Sequence, residues 1–97
     1  MTFEVILSPE AKAHLEDLEA YIAKAASPRI AADYIDSILQ CCADLEIFPH
    51  RGTRRDDIRP GMRTMGFRRR VTITFEVTGQ VTILGVFYGG RNIDSNL

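Results

Sequence analysis

The sequence predicts an α+β domain in the order βααβββ, a helical hairpin packed on one face of a mostly antiparallel four-stranded sheet. Three observations lead there. Two stripes of apolar residues at spacings of three and four follow Ser8-Pro9 and Ser27-Pro28. Period-two alternation fills most of the second half. The helices come as a pair rather than between successive strands, which argues against a doubly wound sheet.

The elements follow in order. Phe3 to Leu7 is short, β-branched in its middle and bounded by Ser8-Pro9, so it is the first strand. Ser8 is a natural N-cap and Pro9 suits the first helical position, where no amide donor is needed. Ala11, Leu15, Leu18, Ile22 and Ala25 then form one stripe, and the helix should end near Ala26. Ser27-Pro28 repeats the start signal. Ala31, Tyr34, Ile35, Ile38, Cys42 and Leu45 make a second helix running to about Ile47, where Pro49 and Gly52 stop it. So short a link folds the helices into an antiparallel hairpin. Residues 49–61 read as a charged connection. Met62 to Phe67 and Arg68 to Val77 are strands, Thr78-Gly79-Gln80 a hairpin turn, and Val81 to Tyr88, apolar on both faces, a central strand. The tail from Arg91 to Leu97 is polar and expected to fray.

A 97-residue chain has room for one hydrophobic core, so residues 1–97 are expected to form a single domain. With 45% hydrophobic and 26% charged residues, collagen, low-complexity disorder and disulfide scaffolds are excluded. No window approaches 18 apolar residues, and the N-terminus lacks the basic and apolar regions of a signal peptide. The expected location is cytoplasmic.

The net charge of −1 hides a split. Residues 1–50 carry three basic residues against nine acids, and residues 51–97 carry nine arginines, no lysine and four acids. Arginine presents a planar fork of donors that matches carboxylates and phosphates, so the basic half points to recognition as well as to a solvated strand face. Adjacent Cys41 and Cys42, and isolated His14 and His50, have no metal-ligand spacing. No dinucleotide, Walker, zincin or hydrolase motif occurs. No metal, nucleotide or other cofactor is expected, and a thermal shift with EDTA, zinc, magnesium or ATP should be flat. Asp56-Asp57 is a carboxylate pair flanked by arginines, a weak acid/base candidate.

One constellation carries possible chemistry. Arg68, Arg70, Tyr88 and Arg91 fall on or just beyond two paired strands, and in simple register Tyr88 shares the face of Arg70 and Thr72. Arginines and a tyrosine of lowered pKa could cleave RNA without metal. Spacing alone favours the plainer reading, in which the tyrosine stacks at the sheet edge and the arginines pair with helix carboxylates.

Several pieces together resemble a known family. They are Leu7-Ser8-Pro9-Glu10-Ala11, Asp17-Leu18 with Ala20-Tyr21-Ile22, Ser27-Pro28 with Ala31-Ala32-Asp33-Tyr34-Ile35, and Leu45 to Pro49 with Gly52. Ile58-Arg59-Pro60-Gly61-Met62-Arg63 and Val86-Phe87-Tyr88 with Arg91 complete the set. In this order they resemble the ParE branch of the RelE/ParE toxin superfamily, over nearly the whole chain. Many members have histidine where this chain has Tyr88. The resemblance implies the βααβββ fold, a type II toxin–antitoxin module used in plasmid stabilisation, and growth arrest. The partner it implies is a small ParD-like antitoxin in a hetero-oligomer, with no membrane and no sequence-specific DNA binding by this chain alone.

For the ParE branch the implied target is DNA gyrase, inhibited without catalysis. For the RelE branch it is ribosome-bound messenger RNA, cleaved through Arg68, Arg70, Tyr88 and Arg91. A diverged member could retain antitoxin binding alone. On the gyrase reading, Arg63, Arg70, Tyr88 and Arg91 meet the target. Apolar helix positions and the basic strand surface, namely Leu18, Ile22, Tyr34, Ile38, Arg59, Arg63 and Arg68, meet the antitoxin.

Overall fold

A computed structural model of the chain describes residues 2–89. The elements are β1 (Val5–Leu7), α1 (Pro9–Ala25), α2 (Pro28–Ala43), a 3₁₀ turn (Asp44–Glu46), β2 (Thr53–Arg54), β3 (Met62–Phe67), β4 (Val71–Val77) and β5 (Val81–Tyr88). The sheet order is β1-β5-β4-β3-β2. β1 runs parallel to β5, and the other pairings are antiparallel.

Both helix starts form as the sequence predicts. The Ser8 hydroxyl oxygen accepts from the Ala11 amide at 3.1 Å, and that of Ser27 accepts from the Ile30 amide at 3.1 Å. Ser8 also donates to the Leu84 carbonyl at 3.2 Å, which ties the start of α1 to β5. Ala11, Leu15 and Leu18 of α1 meet Ile35, Ile38 and Cys42 of α2 over Ile73, Phe75, Val81, Ile83 and Val86 of the sheet. Burial pushes the Cys42 thiol up to about 12, so it is a neutral core group. Among the described residues no helix is long and apolar enough to cross a membrane.

Three expectations are corrected. The sheet has five strands, not four, because Thr53 and Arg54 in the connecting segment pair with Thr64 and Arg63. Two residues are too few to show alternation. The second helix ends at Ala43 and tightens into the 3₁₀ turn before Ile47. The strand expected from Arg68 to Val77, β4, starts at Val71, because Arg68 and Arg69 form a two-residue turn with φ of 51° and 63°.

A further irregularity sits in β5. Phe75 pairs with Ile83 but Thr74 with Gly85, so Leu84 is an extra residue, a β-bulge. The bulge resets the alternation. Val81 and Ile83 before it, and Val86 and Tyr88 after it, all pack on the helix-covered core. It also shifts the register by one, which places Tyr88 opposite Val71.

Candidate functional site

The arginine turn between β3 and β4 is closed by the Arg70 amide donating to the Phe67 carbonyl at 3.3 Å. Two successive left-handed residues are what a type I′ turn demands, and Asn-Gly usually supplies them. For arginine each such conformation costs about 1–2 kcal/mol. The strain is therefore held by the surrounding sheet, and it displays three consecutive exposed guanidinium-bearing residues at one tip.

Arg68 is fixed from below. Its guanidinium carbon lies 5.0 Å from the Phe67 ring centre and 5.5 Å from that of Tyr34. Its Nη2 donates to the Ser37 hydroxyl at 3.4 Å. The Tyr34 and Phe67 rings meet edge to face at 5.7 Å. Burial raises the Tyr34 pKa, nearby Tyr88 adds to this, and Arg68 and Arg70 pull it down. These four residues thus share one electrostatic neighbourhood. Among the described residues no carboxylate forms an ion pair with Arg68, Arg69 or Arg70.

The Tyr88 ring meets that of Tyr21 of α1 at a tilt of 52°, with ring centres 5.7 Å apart. Beside it lies a cavity of about 170 Å³ lined by His14, Asp17, Leu18, Tyr21, Val86 and Tyr88. β1 covers β5 only as far as Ile83, and beyond that point His14 Nδ1 accepts from the Val86 amide at 3.1 Å. The expectation that Tyr88 shares the face of Arg70 and Thr72 is corrected by the bulge. The two remain neighbours through the backbone, the Gly89 amide donating to the Arg70 carbonyl at 2.8 Å.

The second group of arginines behaves differently. Arg54 pairs with Asp56 at 2.8 Å, Arg55 with Asp57 at 3.0 Å and Arg59 with Glu76 at 3.3 Å. The Gly61 amide, then Arg54, hold the Asp56 carboxyl below the ordinary range, and Arg55 does the same to Asp57. Both are acceptors in a folded loop and neither is poised as a general acid. Arg63 Nη1 donates to the Arg51 carbonyl at 3.5 Å.

The sequence-predicted residues divide accordingly. Arg68, Arg70, Tyr88 and Tyr34 come together at the turn. Arg59 and Arg63 lie on the loop and on β3. Ile22 is half-buried. Leu18 and Ile38, expected at the antitoxin surface, are only 6% and 0% exposed, because both lie on stripes facing the core. Arg91 lies outside the described residues. Sequence reasoning missed Phe67, Ser37 and Tyr21 as parts of the site, and also Ile47 and Phe48, which are 60% and 66% exposed. They border an open cleft of about 810 Å³ lined also by Gln40, Asp44, Glu46 and Arg51. Their signal was available, since the second stripe ends at Leu45 and leaves two large apolar residues before Pro49.

No curated protein matches the sequence. Among solved structures, a chain of the chromosomal ParDE TA system from P. aeruginosa shares the fold, with a TM-score of 0.79 and 20% identity over 91% of this chain and 97% of that one. A family model described as the ParE toxin of the type II toxin-antitoxin system parDE matches residues 5–93. With that match running from β1 through β5, the chain belongs to the ParE toxins of type II toxin–antitoxin systems.

Proposed function

We propose that this toxin acts in the cytoplasm by binding, that its target is DNA gyrase, and that a ParD-like antitoxin neutralises it in a hetero-oligomeric complex. The observation that carries the reading is the arginine turn. Its Arg68 is held by two rings and a hydroxyl, so it is a preorganised donor rather than a member of a proton relay. Exposed Ile47 and Phe48, with half-buried Ile22 and Tyr34, offer apolar surface for an antitoxin segment, and Arg59 and Arg63 a basic one. Tyr88 beside the Arg70 backbone favours the second reading, cleavage of ribosome-bound message.

Tyr88→Phe separates the two. It removes one hydroxyl and keeps the ring on Tyr21. A lost binding hydrogen bond of about 0.5–1.5 kcal/mol is roughly 2–13-fold in affinity. A lost general acid or base costs about 10²–10⁴ in rate. The expected outcome is that Tyr88→Phe still arrests growth and still inhibits supercoiling by purified gyrase. Arg63→Ala, which removes a multidentate charged donor, should weaken both by roughly tenfold or more. Normal supercoiling together with message cleavage that vanishes in Tyr88→Phe would instead establish the nuclease.

A further inference from the structure

We infer that the Arg68–Arg70 turn is a contact for the phosphodiester backbone of a nucleic acid, independent of which enzyme or ribosome the toxin attacks. Four observations converge on it. Three consecutive arginines occupy one hairpin tip, and no carboxylate pairs with them among the described residues, whereas Arg54, Arg55 and Arg59 each have one. Two of the three sit in left-handed backbone that Asn-Gly would fill without strain, so at this turn arginine replaces the residues that folding favours. Arg68 lies against the Tyr34 and Phe67 rings and donates from Nη2 to Ser37, which fixes the guanidinium and leaves its other N–H groups for an anion. Tyr21, 59% exposed, packs at a tilt against Tyr88 at the same end of the sheet and offers a ring to an unstacked base.

A polyanion suits this tip better than an acidic protein. Duplex DNA carries one charge per about 1.7 Å of axis, dense enough to engage adjacent guanidiniums together. The acidic half of the chain, nine acids in residues 1–50, repels the same polyanion and confines the contact to the tip. Binding of this kind reads charge and not base order. Its strength should lie in the range of about 10⁻⁴–10⁻⁶ M at physiological salt.

Salt dependence tests it. Purified toxin is titrated against a fluorescent duplex DNA, the matching single strand and an RNA of the same sequence, in 50–200 mM salt. Three neutralised phosphates give a slope near −2.7 on duplex and −2.1 on single strands, so affinity for duplex should fall about 40-fold over that range. Arg68→Asn with Arg69→Gly preserves the turn and removes two charges. Its slope on duplex should fall to about −0.9, a three- to four-fold loss of affinity over the same range, with a melting temperature no lower than the parent's. Arg70→Gln alone should reduce the slope by about 0.9. Stronger binding to the single strand or RNA assigns the Tyr21–Tyr88 pair a stacking role. Three results would overturn the inference: no binding to any of the three nucleic acids at 50 mM salt, an unchanged slope in the folded double variant, or equally tight binding to polyglutamate. The last would give the tip to an acidic protein partner.

Discussion

Phe75→Ala is expected to lower the stability of this toxin by about 3–5 kcal/mol. Phe75 has no exposed surface, pairs with Ile83 at the edge of the bulge, and sits under both helical stripes. Truncation leaves a cavity that the register reset at Leu84 prevents neighbours from filling, since β4 and β5 cannot slide without turning Val86 out of the core. Small domains have only about 5–15 kcal/mol in total. At about 4–8 °C per kcal/mol, the melting temperature should fall by more than 10 °C. Expression of the variant should then leave growth nearly unaffected. A melting curve within a few degrees of the parent's would show that the core is not organised around this ring.

Gly52→Ala is the second large effect, and it acts through a loop. Gly52 has φ of 80°, and a Cβ there would run into the Thr64 carbonyl oxygen. The left-handed conformation costs about 1–2 kcal/mol for alanine, and overpacking against backbone adds about 1–3 kcal/mol. The strand following is β2, so the chain should relieve the clash by releasing the pairs Thr53–Thr64 and Arg54–Arg63. Amide exchange should then speed up in Thr64 and in Arg55, whose amide donates to the Met62 carbonyl at 2.8 Å, before the core opens. Gly66→Ala is the control, because a Cβ there meets nothing within 4 Å. If both variants melt alike, the close approach of Gly52 to β3 is wrong.

Much of the fold is legible in the residues because local and global signals agree there. Ser8 and Ser27 cap helices that begin where they should, β3 and β5 have the predicted ends, and the stripes face the core. What escapes is what breaks local rules. Arg68-Arg69 contains none of the residues that announce a tight turn, so the alternation of Val71 to Val77 extends backwards on paper. The bulge at Leu84 costs one unpaired residue and leaves no mark in a strand that is apolar throughout, yet it decides the face on which Tyr88 lies. The site suffers most from this. Its arginines are visible by charge, but Phe67, Ser37 and Tyr21 join it only through tertiary packing. Leu18 and Ile38 show the reverse error, since an apolar stripe on a helix does not say whether a sheet or a partner covers it.

The parallel pairing of β1 with β5 has a consequence for timing. Val5 meets Val81, so the first strand synthesised waits for the last. At about 5–20 residues per second, that wait is roughly 4–15 s during translation. Until β5 emerges, the helical stripes lack the central strand that carries Val81, Ile83 and Val86, β1 has no partner, and the arginine tip has no Gly89 amide to hold the Arg70 carbonyl. A ribosome-bound chain ending at Thr78 should therefore show neither amide protection nor toxicity. The toxin therefore completes its fold only once β5 has been synthesised, seconds after its first strand.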